Sequence, residues 1–460
     1  MKCVVLAGGA GLRLWPLSRK NFPKQFLELE EGKTLFAETI DRNSRLCDDF
    51  LIITNDAYRF TAEKELVGKD RVNCKLIFET VGKNTAPAIA MASMLSDKDE
   101  ILFVVSSDAY IKGKKEYTDA VNQAKKLAEA GYIVTFGIKL TEANTEYGYI
   151  NYSGNDVIEF KEKPDKETAL KYIENGGYLW NSGMFMFKSS VLLDELKKYR
   201  PDIYDSCLNV VENMKKRNST TMSKELMNEI PSESIDYAVM EKSDKVKVVP
   251  AEFHWSDVGG LEAASEIINR ADEGNSYKGR NIIINNCENT SVINDSNNSL
   301  VVVNDVKDII VTNTNNAVYV SKKGSSKDIK QIINNNQEKY SEFFNENIYS
   351  YRPWGYYEVL ESTAFYKVKS IVVYPGKRLS LQKHNFRSEH WVVVKGTAYV
   401  TVGNESKECH INESVDIPIG EIHRLANNTD KPLEIIEIAT GKNISEEDII
   451  RLEDDFGREE

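Results

Sequence analysis

Residues 3–19 read Cys3-Val4-Val5-Leu6-Ala7-Gly8-Gly9-Ala10-Gly11-Leu12-Arg13-Leu14-Trp15-Pro16-Leu17-Ser18-Arg19, and Phe22-Pro23-Lys24-Gln25-Phe26 follows closely. The apolar run at 3–6 predicts a buried strand. The glycines after it allow backbone N–H groups to close around an anion, where a β-carbon would obstruct the approach. Arg13, Arg19 and Lys24 bring three cations within reach of the same loop. The stretch predicts a polyphosphate site, and the alternative is a plain glycine-rich turn between a strand and a helix.

Length and charge limit what the chain can be. Its 460 residues are too many for one hydrophobic core and predict two or three domains. The net charge of -12 argues against nucleic acid or an anionic membrane as a partner, because both favour a basic surface. No apolar run reaches the roughly 18 residues of a membrane span, and the first residues leave no room for a signal peptide, so we expect a cytoplasmic protein. The scattered cysteines indicate neither a zinc ribbon nor a disulfide framework.

Residues 1–270 alternate short apolar runs with helical patterns. The runs predict strands at 50–53, 75–78, 101–105 and 132–136, and the patterns predict helices that begin near Thr34, Asp56, Asn84 and Glu116. This alternation is typical of a parallel sheet with helices on both faces, which is a Rossmann-like α/β domain. Ligands of such sheets bind at the carboxyl ends of the strands, where the glycine loop lies.

Two regions of different character follow. Residues 271–345 are rich in Asn and carry short Val- and Ile-rich runs, which predicts a small β-rich linker domain with a few solenoid-like rungs and a helix over 326–342. Residues 346–460 contain short apolar runs between Gly and Pro turns, which predicts an all-β jelly roll that ends in an acidic helix over 445–455. We therefore predict three domains, at 1–270, 271–345 and 346–460.

Two aspartates follow apolar runs of the first region. Asp108 comes after the predicted strand at 101–105, and Asp257 lies in Trp255-Ser256-Asp257-Val258-Gly259. An aspartate at the end of a strand is a common ligand of Mg²⁺, which prefers hard oxygen atoms. The alternative for each residue is a cap on the next helix or turn.

The motif at 8–19, together with Pro23-Lys24-Gln25-Phe26, resembles the signature of the sugar-nucleotide pyrophosphorylases, and specifically of the mannose-1-phosphate guanylyltransferases. The resemblance continues through residues 79–87, 148–150, 160–164 and 180–185. It implies transfer of GMP from GTP to mannose 1-phosphate, which gives GDP-mannose and pyrophosphate. The sugar phosphate oxygen is itself the nucleophile in such a transfer, so the protein must hold the reactants in line and neutralise charge.

The resemblance implies roles residue by residue. Arg13 and Lys24 are implied to bind the triphosphate, and Asp108 and Asp257 to hold Mg²⁺. The implied nucleotide contacts are Leu6, Gly8, Gly9, Gly11, Asn84 and Thr85. The implied sugar phosphate contacts are Gly148, Glu162, Lys163 and Asn181, with Lys163 on the phosphate. The family usually has a histidine after the first aspartate, where this chain has Ala109, a departure that bears on nucleotide choice or rate.

Four of the five histidines fall in the last eighty or so residues. The spacing of residues 376–396 reproduces the first cupin motif, with Gln382 in the usual position of the first histidine. Strand alternation places Gln382 and His384 on one face, pointing into the barrel beside Glu389 and His423. Two imidazoles, a carboxylate and an amide oxygen suit Zn²⁺, Mn²⁺, Co²⁺ or Fe²⁺, and the ligand set does not choose among them.

The run at 379–398 resembles that of type II phosphomannose isomerases, which are found fused behind mannose-1-phosphate guanylyltransferase domains. It implies interconversion of mannose 6-phosphate and fructose 6-phosphate, with a metal ion that holds the sugar oxygens as charge develops. Arg378, Arg387 and Arg458 are cations of this region that could hold the phosphate. Phe386 stands where many members have histidine, His390 is expected to face outward, and His410 is expected on the surface.

The leading interpretation is a bifunctional enzyme, with Mg²⁺ in the first site, a divalent transition metal in the second, and a homodimer as one option for its assembly. The first alternative keeps the transferase and makes the cupin a structural or sugar-sensing module. The second alternative is a binding protein without turnover. The retention of Arg13, Lys24, Asp108, Asp257 and Lys163 together disfavours that second alternative.

Overall fold

The computed structural model describes residues 1–9, 11–30, 32–69 and 72–456. The chain divides into two compact units, residues 1–346 and residues 347–460. Among the residues described, no helix is both long and apolar enough to span a membrane.

The first unit alternates strands and helices. Its strands are β1 (Lys2–Ala7), β2 (Glu28–Glu30), β3 (Lys33–Thr34), β4 (Asp49–Asn55), β5 (Asn73–Glu79), β6 (Ile101–Ser106), β7 (Tyr110–Lys112), β8 (Ile133–Lys139), β9 (Tyr149–Ser153), β10 (Asp156–Lys161), β11 (Tyr178–Lys188), β12 (Val246–Ala251), β13 (His254–Ser256), β14 (Asn269–Arg270), β15 (Ser276–Gly279), β16 (Ile282–Asn285), β17 (Ser291–Asn294), β18 (Val301–Asn304), β19 (Ile309–Asn313) and β20 (Val318–Lys322). Its helices are α1 (Leu35–Asn43), α2 (Arg59–Glu65), α3 (Thr85–Met94), α4 (Lys114–Glu129), α5 (Lys166–Asn175), α6 (Ser189–Tyr199), α7 (Pro201–Arg217), α8 (Lys224–Glu229), α9 (Leu261–Ile267) and α10 (Ile329–Asn345). Short 3₁₀ turns lie at Leu12–Leu14, Lys24–Phe26, Asp56–Tyr58, Asp272–Gly274 and Ser326–Asp328, and a π-helical turn lies at Asp236–Met240.

A large sheet has the hydrogen-bonded order β5-β4-β1-β6-β11-β8-β12-β10-β9. β1 runs parallel to both β4 and β6, with Cys3 opposite Phe50 and Phe103. Apolar clusters lie on both faces, which confirms the predicted α/β fold. The prediction of a parallel sheet was wrong for part of the sheet, because β11 runs antiparallel to β6 and β8. β10 also pairs antiparallel with β12 and β9. Alternating apolar runs indicate burial on both faces, but strand direction depends on where each connection enters the sheet.

Side chains of the predicted type cap the first helices. Thr34 Oγ1 accepts a hydrogen bond from the Ala37 N–H at 3.1 Å, and Asn84 Oδ1 accepts one from the Thr85 N–H at 2.8 Å. Helix α4 begins at Lys114, directly after Gly113, so its start lies two residues before the predicted one. The capping residues thus locate the helices that follow β-strands of the sheet.

Parallel rungs follow α9, as the spacing of the Asn-rich segment predicts. β15, β17 and β19 pair in parallel, and so do β16 and β18. Side-chain amides of successive rungs are hydrogen-bonded at an offset of 19 residues. Asn285 Nδ2 donates to Asn304 Oδ1 at 2.6 Å, and Asn313 Nδ2 donates to Asn294 Oδ1 at 2.8 Å. The predicted helix at the end of this segment is α10.

The rungs share a core with the preceding part of the first unit. Ile293 and Ile310 of the rungs lie in one buried cluster with Leu14 and Leu261. The compact unit therefore extends to residue 346, and a domain boundary at residue 270 stays a prediction.

Gly279→Ala is expected to lower the free energy of unfolding of the first unit by about 1–3 kcal/mol. Gly279 has φ +104°, and a Cβ there would collide with the backbone carbonyl of Asn294 on the next rung. Chemical denaturation followed by fluorescence checks this. Gly82→Ala is the control, because a Cβ at position 82 would meet no atom within 4 Å in the described structure. Equal midpoints for the two variants would contradict the expectation.

The second unit contains β21 (Tyr349–Arg352), β22 (Gly355–Ser362), β23 (Tyr366–Val373), β24 (Leu381–His384), β25 (Arg387–Lys395), β26 (Ala398–Val402), β27 (Glu405–Cys409), β28 (Ser414–Ile417), β29 (His423–Ala426), β30 (Leu433–Gly441) and β31 (Ile449–Glu453). One sheet has the order β21-β22-β23-β30-β25-β28, and the other has the order β27-β26-β29-β24-β31. Trp391, Val393, Leu425 and Ile435 form part of the core. This is the predicted jelly roll of the cupin type.

The predicted acidic helix over 445–455 was wrong. A 3₁₀ turn at Glu446–Asp448 leads into β31, which pairs with β24. The Asp448 carboxylate accepts hydrogen bonds from the Asn385 N–H at 3.0 Å and the Phe386 N–H at 3.2 Å, so it binds the end of β24 rather than a helix. Ser445 makes no side-chain capping bond.

Candidate active sites

The loop after β1 is held closely against the segment that carries Lys24. Gly11 has φ +58°, and a Cβ there would collide with the Lys24 side chain. Gln25 Nε2 donates to the Ala7 carbonyl at 2.8 Å. Arg19, which we expected near the anion, is 1% exposed and donates to the Pro16 carbonyl and to Asn316 Oδ1. Arg19 therefore supports the loop from the core side, and that expectation was wrong.

Lys24 connects the two aspartates of the predicted magnesium site. Its Nζ lies 2.9 Å from Asp108 Oδ2 and donates to the backbone carbonyl of Asp257. Ser106 Oγ also donates to the Asp108 carboxylate. Burial would raise the pKa of Asp108, but Lys24 and Ser106 outweigh burial and hold that pKa below its usual value. The structure thus brings Lys24, Asp108 and Asp257 together.

A cavity of about 890 Å³ opens beside this group and is lined by Arg13, Tyr147 and Asp257 among others. The Tyr147 hydroxyl donates to Asp257 Oδ1 at 2.6 Å, which fixes the carboxylate. The Arg13 guanidinium lies 2.8 Å from Glu146 Oε2 and is half-exposed. Tyr147 was not predicted, although it directly precedes the Gly148 motif.

The predicted sugar phosphate residues form a second cluster. Lys163 Nζ lies 2.9 Å from Glu162 Oε1, and Asn181 Nδ2 donates to Asp236 Oδ1 at 2.9 Å. A Cβ at Gly148 would lie 2.5 Å from Glu162 Oε2, so only glycine leaves this carboxylate in place. Burial, and then the charge of Glu162, raises the pKa of Asp236 to about 7. The sequence motifs did not indicate Asp236, which lies in the π-helical turn.

The predicted nucleotide residues fall into two groups. Gly8, Gly9 and Leu6 lie at the end of β1, and a Cβ at Gly8 would lie 3.2 Å from Glu79 Oε2. Burial raises the pKa of Glu79 to about 7. Asn84 and Thr85 begin α3, and Thr85 Oγ1 accepts a hydrogen bond from the Ile235 N–H at 2.9 Å. Thr85 is therefore joined to the segment that carries Asp236.

In the second unit, His384, Glu389 and His423 offer ligand atoms that all lie within 4.8 Å of one another. None of the three is more than 3% exposed. The Nδ1 atoms of His384 and His423 face the carbonyls of Asp448 and Glu421, at 3.2 and 2.9 Å. This arrangement leaves both Nε2 atoms directed at Glu389, and that of His423 has no hydrogen-bond partner within the described structure. The three residues fit a metal ion.

Electrostatics favour the metal-binding forms of Glu389 and His423. Burial would raise the pKa of Glu389, but His384, Arg387 and His423 outweigh it and hold that pKa far below its usual value. Burial lowers the pKa of His423, which favours the neutral imidazole. Gln382, the fourth predicted ligand, has its Nε2 3.4 Å from His384 Nε2, and its Oε1 accepts from Ser380 Oγ at 2.8 Å.

The three arginines predicted to hold the phosphate have different surroundings. Arg387 is buried in the cluster, with Nε 2.9 Å from Glu389 Oε1 and one NH2 3.3 Å from His384 Nε2. Arg378 is half-exposed and forms a bidentate pair with Asp455 at 2.7 and 2.8 Å. Arg458 lies outside the described residues. Only Arg387 is brought to the histidines within the residues described.

Two charged residues beside the cluster were not predicted. Lys369 and Glu437 line a cavity of about 50 Å³ together with Gln382, Arg387 and Glu389. Lys369 Nζ lies 3.7 Å from Glu437 Oε1, and both residues are buried. The signal in the sequence was a charged residue within an otherwise apolar strand, Lys369 on β23 and Glu437 on β30. His390 lies on the partly exposed side of β25, with its Nδ1 2.6 Å from Asp416 Oδ1.

Comparisons with known proteins match one family to each part of the chain. The nucleotidyl transferase family matches residues 2–274, and the mannose-6-phosphate isomerase C-terminal family matches residues 335–454. Mannose-1-phosphate guanylyltransferase 2 of Escherichia coli O157:H7 is 39% identical over 99% of this chain and 98% of that protein. The alginate biosynthesis protein AlgA of Pseudomonas aeruginosa is also 39% identical, over 99% of this chain and 97% of that protein.

Two solved structures resemble the chain. The crystal structure of mannose-1-phosphate geranyltransferase from Thermus thermophilus has a TM-score of 0.64 and 29% identity, and it covers 73% of this chain and 98% of its own. Mannose-6-phosphate isomerase from Helicobacter pylori has a TM-score of 0.51 and 36% identity, with 55% and 98% coverage. Nucleotidyl transferases and cupin isomerases generally use divalent metal ions. Matched along nearly its whole length, the chain belongs to the mannose-1-phosphate guanylyltransferases that carry a C-terminal mannose-6-phosphate isomerase domain.

Proposed function

We propose that the first unit transfers GMP from GTP to mannose 1-phosphate and releases pyrophosphate. The observation that carries this proposal is the convergence of Lys24, Asp108 and Asp257 beside the glycine loop. The names of the guanylyltransferase relatives support this choice of the two substrates. We propose further that the second unit interconverts mannose 6-phosphate and fructose 6-phosphate, and the buried His384, Glu389 and His423 group supports this.

The transfer forms a bond from the sugar phosphate oxygen to the α-phosphorus of GTP and breaks the bond to pyrophosphate. Lys24 and Arg13 bind phosphate oxygens in this proposal, and the N–H groups of the glycine loop add further donors. Tyr147 holds Asp257 in position, and Lys24 keeps Asp108 ionised. No side-chain nucleophile is required, because the second substrate already carries the attacking oxygen.

Asp108 and Asp257 are the residues that would hold Mg²⁺. Their carboxylate oxygens are the hard ligands that this ion prefers, and Asp108 stays ionised at neutral pH. When bound, the ion supplies positive charge against the charge that develops on the phosphates.

In the isomerase, a proton moves between adjacent carbons of the open-chain sugar through an enediol. His384, Glu389 and His423, with Gln382 beside them, would hold the divalent metal, which polarises the sugar oxygens when bound. His384 and then Arg387 keep the pKa of Glu389 low, and Arg387 adds positive charge at the cluster. Lys369 and Glu437 are the charged groups that line the adjacent cavity.

The transferase is tested by assaying the full chain with each pair of nucleoside triphosphate and sugar 1-phosphate. The readout is the rate of pyrophosphate release. We expect GTP with mannose 1-phosphate to be preferred at least about tenfold in kcat/KM, which corresponds to roughly 1.4 kcal/mol. Preference for another pair would overturn the substrate assignment.

Conversion of fructose 6-phosphate by the same protein tests the isomerase, and no turnover with any divalent metal would favour a structural or sugar-sensing cupin.

Gly148→Ala is expected to raise KM for mannose 1-phosphate about tenfold, with a smaller change in kcat. The added Cβ would displace the Glu162 carboxylate, which pairs with Lys163 in the proposed sugar phosphate site. Steady-state kinetics with each substrate varied in turn check this. Ser153→Ala, at an exposed position at the end of β9, is the control and is expected to leave both KM values unchanged. A rise in KM for GTP alone would contradict the assignment.

A further inference from the structure

A second large cavity of the first unit lies between α1, β7 and the start of α4. Its volume is about 410 Å³, within the range of roughly 300–1,000 Å³ that is usual for small-molecule sites. None of its described lining residues belongs to the cavity of Arg13 and Asp257. The proposed transferase chemistry makes no use of it. We refer to it as the α1–α4 cavity.

The lining of the α1–α4 cavity is positive in a chain whose net charge is -12. Its described cations are Lys33, Arg42, Arg45, Lys112 and Lys114, and its described carboxylates are Glu30, Glu38 and Asp41. Lys33 pairs with Asp41 and Lys112 pairs with Glu30, each at 2.7 Å. In the part of the chain that the structure describes, Arg42, Arg45 and Lys114 have no carboxylate oxygen within 4.0 Å. Cations without carboxylate partners on a concave surface attract anions.

The Arg42 guanidinium is held in place by Tyr117 and Thr39. Its guanidinium carbon lies 5.6 Å from the centroid of the Tyr117 ring, and one NH2 donates to Thr39 Oγ1 at 3.1 Å. Arg42 lines the cavity, and an arginine fixed beside an aromatic ring suits a phosphate group. Tyr110 and Tyr117 also line the cavity, although both are almost fully buried.

The cavity is connected to the proposed magnesium site through β7. Tyr110 OH and Lys112 Nζ both donate to Glu30 Oε1, at 2.8 and 2.7 Å, on the cavity side. β7 pairs with β13, with Tyr110 opposite Ser256. Asp108 lies two residues before Tyr110, and Asp257 directly follows Ser256. A ligand that draws Lys112 or Tyr110 away from Glu30 therefore acts on the strand pair that carries both aspartates.

We propose that the α1–α4 cavity binds a phosphorylated small molecule and that its occupancy changes the transferase rate through β7. The phosphate binds Arg42, Arg45 and Lys114, and the rest of the ligand occupies the remainder of the cavity. A sugar phosphate and a nucleotide share this chemistry, so the test compares them. The kinetic part rests on the proposed function of the first unit, and the binding part does not.

The test measures pyrophosphate release by the full chain at saturating GTP and mannose 1-phosphate, with inorganic phosphate, fructose 6-phosphate or GDP-mannose added. Saturating substrates suppress competition at the catalytic site. At least one probe is expected to change the rate about fivefold or more. Arg42→Gln/Arg45→Gln is expected to keep the basal rate and lose the response. Arg45→Gln/Lys114→Gln, which changes only exposed residues, is expected to reduce the response of the rate to the probe. Arg217→Gln, an exposed arginine at the end of α7, is the control and keeps the response.

Titration calorimetry of the same probes provides the independent arm. Wild-type protein is expected to bind one probe at a site that both double variants weaken at least about tenfold and that Arg217→Gln leaves unchanged. If no probe shows such a site, or if the double variants respond like the wild type, the proposal is wrong. If the chain releases no pyrophosphate but calorimetry still shows the site, the function proposed for the first unit has failed and the cavity assignment stands.

Discussion

Asp257→Asn is expected to lower kcat for GDP-mannose formation by about 1,000-fold, as removal of one preorganised charge-stabilising group does in other enzymes. The substitution keeps the size of the side chain and an oxygen that can accept from Tyr147, so the cavity should persist. It removes one of the two negative charges proposed to hold Mg²⁺. The measurement is the initial rate of pyrophosphate release at saturating GTP and mannose 1-phosphate.

The controls for Asp257→Asn separate chemistry from folding. Asp244→Asn removes an exposed carboxylate of the first unit and is expected to keep the rate. Isomerase activity of the Asp257→Asn protein should be unchanged, because His384, Glu389 and His423 all lie in the other compact unit. Full transferase activity in purified Asp257→Asn would show that this carboxylate does not hold the metal.

His384→Ala is expected to remove the metal from the second unit and to abolish isomerisation, with GDP-mannose formation unchanged. His384 supplies one of two buried Nε2 atoms and also contacts Glu389 at 3.0 Å. The loss of one of the three clustered His and Glu ligands leaves a site with too few strong donors for tight binding. Elemental analysis of the dialysed full chain gives the metal content, and a coupled assay with fructose 6-phosphate gives the activity.

His390→Ala is the matched control for His384→Ala. His390 lies on β25, beside Glu389 in sequence, but it faces Asp416 on the partly exposed side. Its loss is expected to leave metal content and isomerisation unchanged. Metal that stays bound to His384→Ala, or that is lost equally from His390→Ala, would refute the ligand assignment. Chelation of the wild type should reproduce the isomerase loss, and readdition of the metal should restore it.

The positions of the main functional groups could be predicted because they depend on local sequence. The glycine loop needs residues without a β-carbon beside Lys24, and a capping residue such as Asn84 marks the start of a helix after a strand. Alternation along β24 predicts that Gln382 and His384 share a face. Each of these inferences uses residues that are close in the chain.

Features that depend on distant pairing could not be predicted in the same way. The direction of β11 depends on how its connections enter the sheet, and the burial of Arg19 depends on Asn316, almost 300 residues away. Tyr147 matters because its hydroxyl meets Asp257 across more than 100 positions. The segment after Ser445 is a strand because β24 offers it a partner, whereas its acidic composition alone favours the first turn of a helix.

The offset of 19 residues between paired amides in the rungs constrains how the length of this segment can vary. Deletion of one residue between Asn285 and Asn304 would shift every later amide out of step and, because strand side chains alternate, would turn apolar side chains toward solvent. Removal or duplication of a complete repeat preserves the ladder. Natural variants of this segment should therefore differ in length by whole repeats, with single-residue changes confined to the corners where the chain turns.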